Sequence, residues 1–394
     1  MLDRPNVFNA TKNIAETGQL LYLIIKKSIM PHIYIQNNRY FYDKLSDTET
    51  KINTDYTNAT LSFCKKWIDN NSNFELTTSG STGKPKNIQL KRSQLTHSAS
   101  LTNRFFKLNS SDHFLVCLNT KMVAGMMMLV RGMLADATIT VVEPQGNPLT
   151  QLPPDTTCNF VALVPLQLEN ILLKGTEKER HILNKMKAVI IGGGPVSDSL
   201  HELILKLDCP VYHTYGMTET VSHIALKKLN QNDRSDYYQA LEGVEIKTDT
   251  RECLMIRSAV TEHEWITTND RVSIENDNYF KWLGRIDFVI NSGGVKVQPE
   301  ILEKKIDKLF KEHGIHNAFF TIGMPDDTLG EKVTLIIEGQ LPANFDESTL
   351  AQQLKLACSK YEVPRQFFFI EKFALTESGK INRKTTIHHL NLGH

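Results

Sequence analysis

From about residue 112 the chain alternates short apolar, β-branched runs with helical ones, and this alternation constrains the fold more than any other feature of the sequence. The run is HFLVCL at 113–118, GMMMLVRGML at 125–134, ATITVV at 137–142, NFVALVP at 159–165, a helix over 167–173, KAVIIGGG at 187–194, a helix over 197–207, and PVYHTYG at 210–216. Strands that are apolar along their whole length are covered on both faces, which predicts parallel strands between helical layers. The expected class is therefore α/β.

Near Leu241 the texture changes. Shorter alternating segments with charged turns, EIKT at 245–248, LMIR at 254–257 and YFKWL at 279–283, read as an antiparallel meander or a small barrel. After Arg285 it changes again: a helix over 299–311 puts Leu302, Ile306, Leu309 and Phe310 on one face. Strands AFFTI at 318–322, KVTLII at 332–337 and QFFFI at 366–370 bracket a second helix over 348–359, giving an α+β unit of ordinary domain size. The division expected is a large layered domain over 1–285 and a small one over 286–394.

Composition excludes several function classes. The 394 residues carry 45 basic and 44 acidic side chains, a net charge of +1, so no overall field favours nucleic acid or an anionic membrane. Anion binding must be local. The six cysteines, at 64, 117, 158, 209, 253 and 358, form no C-x-x-C pair, which argues against a zinc cluster or a disulfide scaffold and fits buried free thiols in a reducing cytoplasm. The apolar stretch 20–25 is too short for a signal segment, and neither it nor 122–130 is long enough to span a bilayer, so no stable membrane insertion is expected.

Against this background one loop stands out: LTTSGSTGKPKNIQL at 76–90. Small residues allow close backbone approach, hydroxyls and amides donate, and lysines add charge, which suits a polyphosphate as well as a solvated Ser/Gly loop. It is not a Walker loop, because Gly80 stands three residues before Gly83 and Pro85 follows Lys84 where a hydroxyl is required. Flanking strand signals at 74–77 and 88–90, with a helix starting at Ser93, make it a hairpin tip.

Four further islands follow: IIGGGPV at 190–196, HTYGMTET at 213–220, the stretch from Thr267 and Asp270 to GRIDFVINSGGVKV at 284–297, and SGKINRK at 378–384. Each has a plain alternative, respectively a tight turn, a capped strand-to-helix connection, a charged meander, and a solvated basic tail. In this order, however, the five islands resemble the adenylate-forming superfamily of acyl-CoA synthetases, nonribosomal adenylation domains and luciferases, over Thr77 to Lys384. TSGSTGKPK resembles its phosphate loop, YGMTE its adenine and magnesium motif, GRIDFVINSGGVKV its hinge, and GKINR the segment with its catalytic lysine. VPLQL at 164–168, GGGPV, YGMTET and VINSGGVKV look most like the o-succinylbenzoate-CoA ligases of menaquinone biosynthesis.

The resemblance implies an acid-thiol ligase with ATP, magnesium and coenzyme A. Thr78, Ser79, Ser81, Thr82 and Lys84, with the amides of the loop at Gly80 and Gly83, would hold the β- and γ-phosphates. Thr218 would take the α-phosphate and Glu219 the magnesium. Tyr215, next to Gly216, would stack on adenine beside Gly193 and Gly194, while Asp270 and Arg285 fix the ribose. Lys380 would reach the carboxylate and α-phosphate oxygens, and the small domain would swing about Asp287 so that Gly293 and Gly294 line a coenzyme A tunnel. The partners implied are a small-molecule carboxylate, ATP and coenzyme A, with a homodimer left open.

Three departures from the family pattern stand in the sequence: a short stretch of 76 residues before Thr77, read as an abbreviated N-terminal subdomain; Asn269 where the family has the Gly of Thr-Gly-Asp; and KMVAG at 121–125 without the usual aromatic or histidine. Competing readings are another aryl- or acyl-CoA ligase and a protein that forms or binds an acyl-adenylate without making a thioester. A dinucleotide-dependent dehydrogenase would need G-x-G-x-x-G after a strand, which is missing.

Overall fold

The structure is a computed structural model that describes residues 32–35, 38–45, 54–78, 86–153, 156–342, 345–375 and 381–388. Its first elements are an antiparallel pair, β1 (His32–Ile35) and β2 (Asn38–Phe41), and a helix, α1 (Asp55–Ile68), whose N-cap Thr54 accepts from Thr57 N at 3.2 Å. An isolated antiparallel ribbon, β3 (Asn73–Thr78) and β4 (Lys86–Lys91), follows and leads into α2 (Arg92–Phe106). This is the hairpin expected around the Ser/Gly/Thr loop.

The alternating section comes next, as β5 (His113–Val116), α3 (Val123–Leu134), β6 (Thr138–Val141), β7 (Phe160–Leu163), α4 (Pro165–Lys174), α5 (Glu177–Asn184), β8 (Ala188–Ile191), α6 (Asp198–Ile204) and β9 (Val211–Gly216). Strands β1, β6, β5, β7, β8 and β9 lie side by side in that order and are parallel. The apolar runs explain this packing. Phe114, Phe160 and Ile190 face one core with Met127 and Val130 of α3, while Leu115, Val161 and Val189 face a second core with Leu168 of α4 and Leu200 of α6. In β7 and β8, buried at every position, no polar alternation survives.

Strand β5 lies between β6 and β7, so the chain leaves β5 in one direction and β7 in the other. A crevice opens outside the carboxyl ends of strands at such a reversal. Beyond β9 the sheet turns antiparallel through β10 (His223–Lys228), β11 (Tyr238–Ala240), β12 (Glu245–Thr248), β13 (Cys253–Arg257), β14 (Ile266–Asn276) and β15 (Tyr279–Arg285), in the order β10, β11, β15, β14, β13, β12. The meander read from Leu241 onward thus begins earlier, at His223, and continues the large sheet.

A second sheet of five strands contains β16 (Ile290–Ser292), β17 (Val295–Val297), β18 (Phe319–Asp326), β19 (Gly330–Glu338) and β20 (Gln366–Ile370), with α7 (Pro299–Glu312) between β17 and β18, α8 (Glu347–Ala357) between β19 and β20, and α9 (Arg383–His388) after β20 along the chain. Leu302, Ile306, Leu309 and Phe310 of α7 are all buried, as their spacing predicts, in a core drawn from residue 290 onward. Helix α4 starts at Pro165, two residues before the expected start, because proline suits the first helical position. Cys64, Cys117, Cys158, Cys209 and Cys253 are buried free thiols, and Cys358 is half-buried and free. No helix among the described residues is long and apolar enough to cross a membrane.

Candidate active site

The crevice at the strand ends holds a cavity of 290 Å³, lined by Leu118 beyond β5, Val164 beyond β7, Gly192 and Gly193 beyond β8, and Gly216, Met217 and Thr218 beyond β9. Its walls are mainly apolar, from Val123, Met127, Leu163, Ile190 and Val221, and none of its described lining residues is acidic. Gly216 is required where β9 meets β10, since a Cβ there would lie 2.3 Å from the Ser222 carbonyl oxygen. Val221 sits at φ +62°, a strained conformation for a β-branched residue. Its amide donates to Thr218 O at 2.9 Å, so the turn bearing Thr218 and Glu219 is held under tension of the kind that gathers at functional sites.

One charged group borders this cavity from within α3. Arg131 is 2% exposed, and no carboxylate among the described residues pairs with it. Instead its Nε donates to Thr102 Oγ1 at 3.1 Å and its Nη2 to Ser222 Oγ at 2.6 Å and His223 Nδ1 at 3.4 Å. His223 therefore carries its proton on Nε2, which donates to Thr102 Oγ1 at 3.0 Å, and the Thr102 hydroxyl donates in turn to Ser98 O at 3.4 Å. Burial, and then the Arg131 charge, hold His223 well below its ordinary pKa and so neutral. Arg131 is the cation of the pocket. The sequence reading missed it because GMMMLVRGML looks like the interior of an apolar helix.

On the other side of β9 a second group of contacts surrounds Asp270, which is 8% exposed. Its Oδ2 accepts from Tyr215 Oη at 2.7 Å and its Oδ1 from Trp282 Nε1 at 3.1 Å, while its amide donates to Thr268 Oγ1 at 3.0 Å. Burial and the Asp270 charge push the Tyr215 phenol far up, so it remains a donor. Arg285 is the ladder partner of Asp270, but its guanidinium is engaged by Asp287. Trp282 and Asp287 complete this group through tertiary contact. Gly193, at φ +82°, and Gly194 lie nearby on the loop after β8, and His213 Nε2 donates to the Gly194 carbonyl at 3.0 Å while Nδ1 accepts from Tyr238 Oη at 2.7 Å. Burial lowers the His213 pKa to about 4, which preserves this neutral arrangement.

The expected site residues are therefore distributed as follows. Gly193, Gly216 and Thr218 line one cavity; Tyr215 and Asp270 are hydrogen-bonded, with Arg285 across the ladder. Glu219 is exposed beside Thr218 and forms no ion pair among the described residues, leaving hard oxygen donors of the kind magnesium takes. Gly293 and Gly294, at φ +58° and +80°, form the two-residue turn between β16 and β17, a backbone shape that favours glycine at both positions. Ser79, Gly80, Ser81, Thr82, Gly83, Lys84 and Lys380 lie outside the described residues, and Thr78 is described only as the end of β3.

The family described as AMP-binding enzyme matches residues 42–249, more than half of the chain. The chain belongs to that family. This AMP-binding enzyme is 41% identical to a solved acyl-CoA synthetase (AMP-forming)/AMP-acid ligase II-like protein from Dyadobacter fermentans, with a TM-score of 0.59 over 88% of this chain and 97% of that one. It is 26% identical over 330 residues to the 2-succinylbenzoate–CoA ligase of Listeria monocytogenes, covering 78% of this chain and 68% of that protein. Its fold is also that of the o-succinylbenzoate coenzyme A synthetase of Bacillus subtilis, solved with ATP and magnesium ion, at a TM-score of 0.65 and 20% identity over 79% of this chain and 69% of the other. The AMP-binding enzyme thus has the adenylate-forming fold.

Proposed function

We propose that the enzyme activates a small dicarboxylate with ATP, through an acyl-AMP, and transfers the acyl group to coenzyme A, with o-succinylbenzoate as the substrate that fits best. The observation that carries this reading is Arg131, a buried guanidinium without a carboxylate partner among the described residues, at a small apolar cavity beside Thr218. An unpaired buried cation is costly unless a ligand supplies the anion. A substrate with one carboxylate to activate and another to anchor supplies it, and the apolar walls suit the aromatic body between them.

The chemistry then follows from charge. An anionic carboxylate must attack the α-phosphorus of a polyanion, so positioning and neutralisation carry the step. Thr218 would orient the α-phosphate, Asp270 the ribose, and Tyr215, Gly193 and Gly194 the adenine. Magnesium, bound through Glu219, would offset phosphate charge. The loop 78–84 would clamp the β- and γ-phosphates, and Lys380 would neutralise charge growing on the α-phosphate. After pyrophosphate leaves, residues 286–394 would swing about Asp287 and bring Gly293 and Gly294 to the entering thiol. Such chemistry would need a compartment that supplies ATP and coenzyme A, as the cytoplasm does.

The test is pyrophosphate release, then AMP and thioester formation on adding coenzyme A, across paired mono- and dicarboxylates. Preference for o-succinylbenzoate over its monocarboxylate counterparts supports the reading. Activation of amino acids, or of monocarboxylates equally well, would reject it, and AMP formation unaffected by coenzyme A would restrict the enzyme to adenylation.

A further inference from the structure

We propose that Asn269 is a positioning residue for Asp287, fixing the joint between the two sheets in the orientation seen here. The consequence for turnover rests on the two-step reaction above. Asp287 lies on the single turn Ile286–Phe288 that links β15 to β16. Both of its carboxylate oxygens are taken: Oδ1 accepts from Asn269 Nδ2 at 2.9 Å, and Oδ2 from Arg285 Nη2. The Asn269 amide is itself oriented, because Oδ1 accepts from Arg251 Nη1 at 3.4 Å and Arg251 is ion-paired with Asp249 at 2.8 Å. A chain of side chains thus runs from the β12–β13 turn through β14 to the joint. A glycine at 269, the residue of the resembling Thr-Gly-Asp motif, would offer no side-chain donor.

The surrounding interface explains the use of such a hold. Beside Gly284, the Gln298 Nε2 and Oε1 and the Glu300 Oε2 are buried without partners among the described residues. A Cβ on Gly284 would lie 2.6 Å from both Gln298 Nε2 and Glu300 Oε2, so these groups pack directly against the glycine and leave it no room for a side chain. Unpaired buried polar atoms oppose this orientation. The contacts of Asp287 with Asn269 and Arg285 counter that bias, and Arg285 is the one that a bound ribose would draw away. Asn269 is then the remaining side-chain hold on Asp287.

Hydrogen–deuterium exchange of the full-length chain, compared with the rates of the two half-reactions, tests this inference. Removing one hydrogen bond in Asn269→Gly should speed exchange across 286–292 by about 3- to 10-fold and shift the ratio of pyrophosphate release to thioester formation by about 2- to 5-fold. Asn269→Asp, which sets a carboxylate against Asp287, should exceed Asn269→Gly, and Asn269→Gln, which keeps the donor, should recover most of the wild-type ratio. Unchanged exchange at 286–292 would overturn the proposal. So would exchange rising equally over 266–276 with both half-reactions reduced in proportion, since that is a structural effect on β14. Failure of the wild-type chain to release pyrophosphate would reject the catalytic reading, while the exchange measurement would still decide the hold on Asp287.

Discussion

Replacing Arg131 by methionine should cost the enzyme its substrate without costing it its fold. Burial lowers the guanidinium from its ordinary value to about 9, which at ~1.4 kcal/mol per pH unit is a desolvation cost on the order of 5 kcal/mol. Its hydrogen bonds to Thr102 and Ser222 return about 1.5–3 kcal/mol each, as bonds to a charged group do. The two contributions nearly cancel, so Arg131→Met should alter folding stability by no more than about 2 kcal/mol. Thr102 and His223 remain bonded to each other, while Ser222 Oγ and His223 Nδ1 lose their Arg131 donor, which makes the net change a destabilisation. Activity behaves differently. Losing a buried, charge-assisted fork to a second carboxylate is worth about 2–4 kcal/mol, or roughly 30- to 1,000-fold in kcat/KM for the dicarboxylate. Arg131→Lys, which keeps the charge but loses the fork, should fall about 10-fold. Thermal melts alongside pyrophosphate release with matched mono- and dicarboxylates measure both effects. An equal fall on both substrate types, or a melting temperature that collapses with activity, would refute the reasoning.

Three other outcomes are expected. Trp282→Phe removes the Oδ1 contact of Asp270, and a bond worth ~1 kcal/mol should raise KM for ATP about 3- to 10-fold with kcat nearly unchanged; a fall confined to kcat would contradict this. His213 and His113 both have folded-state pKa values of about 4, chiefly through burial. Their neutral native forms contribute fully above the unfolded value near 6.5, and that contribution is lost as pH falls toward 4, about 2 kcal/mol for each at pH 5; a denaturant midpoint independent of pH between 7 and 5 would count against it. Lys380→Ala should reduce adenylation by roughly 10²-fold or more, the scale of one charge-stabilising donor, and near-normal pyrophosphate release would remove Lys380 from its role.

What the sequence determined by itself is local in origin. Unbroken apolar strands specify a parallel layer because a strand buried on both faces has no place for polar alternation, and β7 and β8 are buried at every position. The spacing of Leu302, Ile306, Leu309 and Phe310 specifies the buried face of α7 in the same way. The islands around Tyr215, Asp270 and Gly293 were legible because glycines, hydroxyls and charges cluster there along the chain. Helices α1 and α5 and the β1–β2 pair were not read, since their patterns are weaker than those of the alternating section.

Tertiary structure alone decided what these groups meet. Arg131 lies in an apolar helical run whose pattern indicates core, and it becomes a cation at a pocket only because Thr102, 29 residues earlier, and Ser222, 91 residues later, converge on it. Trp282 and Asp270 meet across a ladder with a register shift, and Asn269 finds Asp287 18 residues away. Periodicity reports which face of an element is buried. The pairing of a buried charge or an amide depends instead on where distant segments are brought by packing, and this is why the cation of the pocket and the hold on Asp287 appear only in the folded chain.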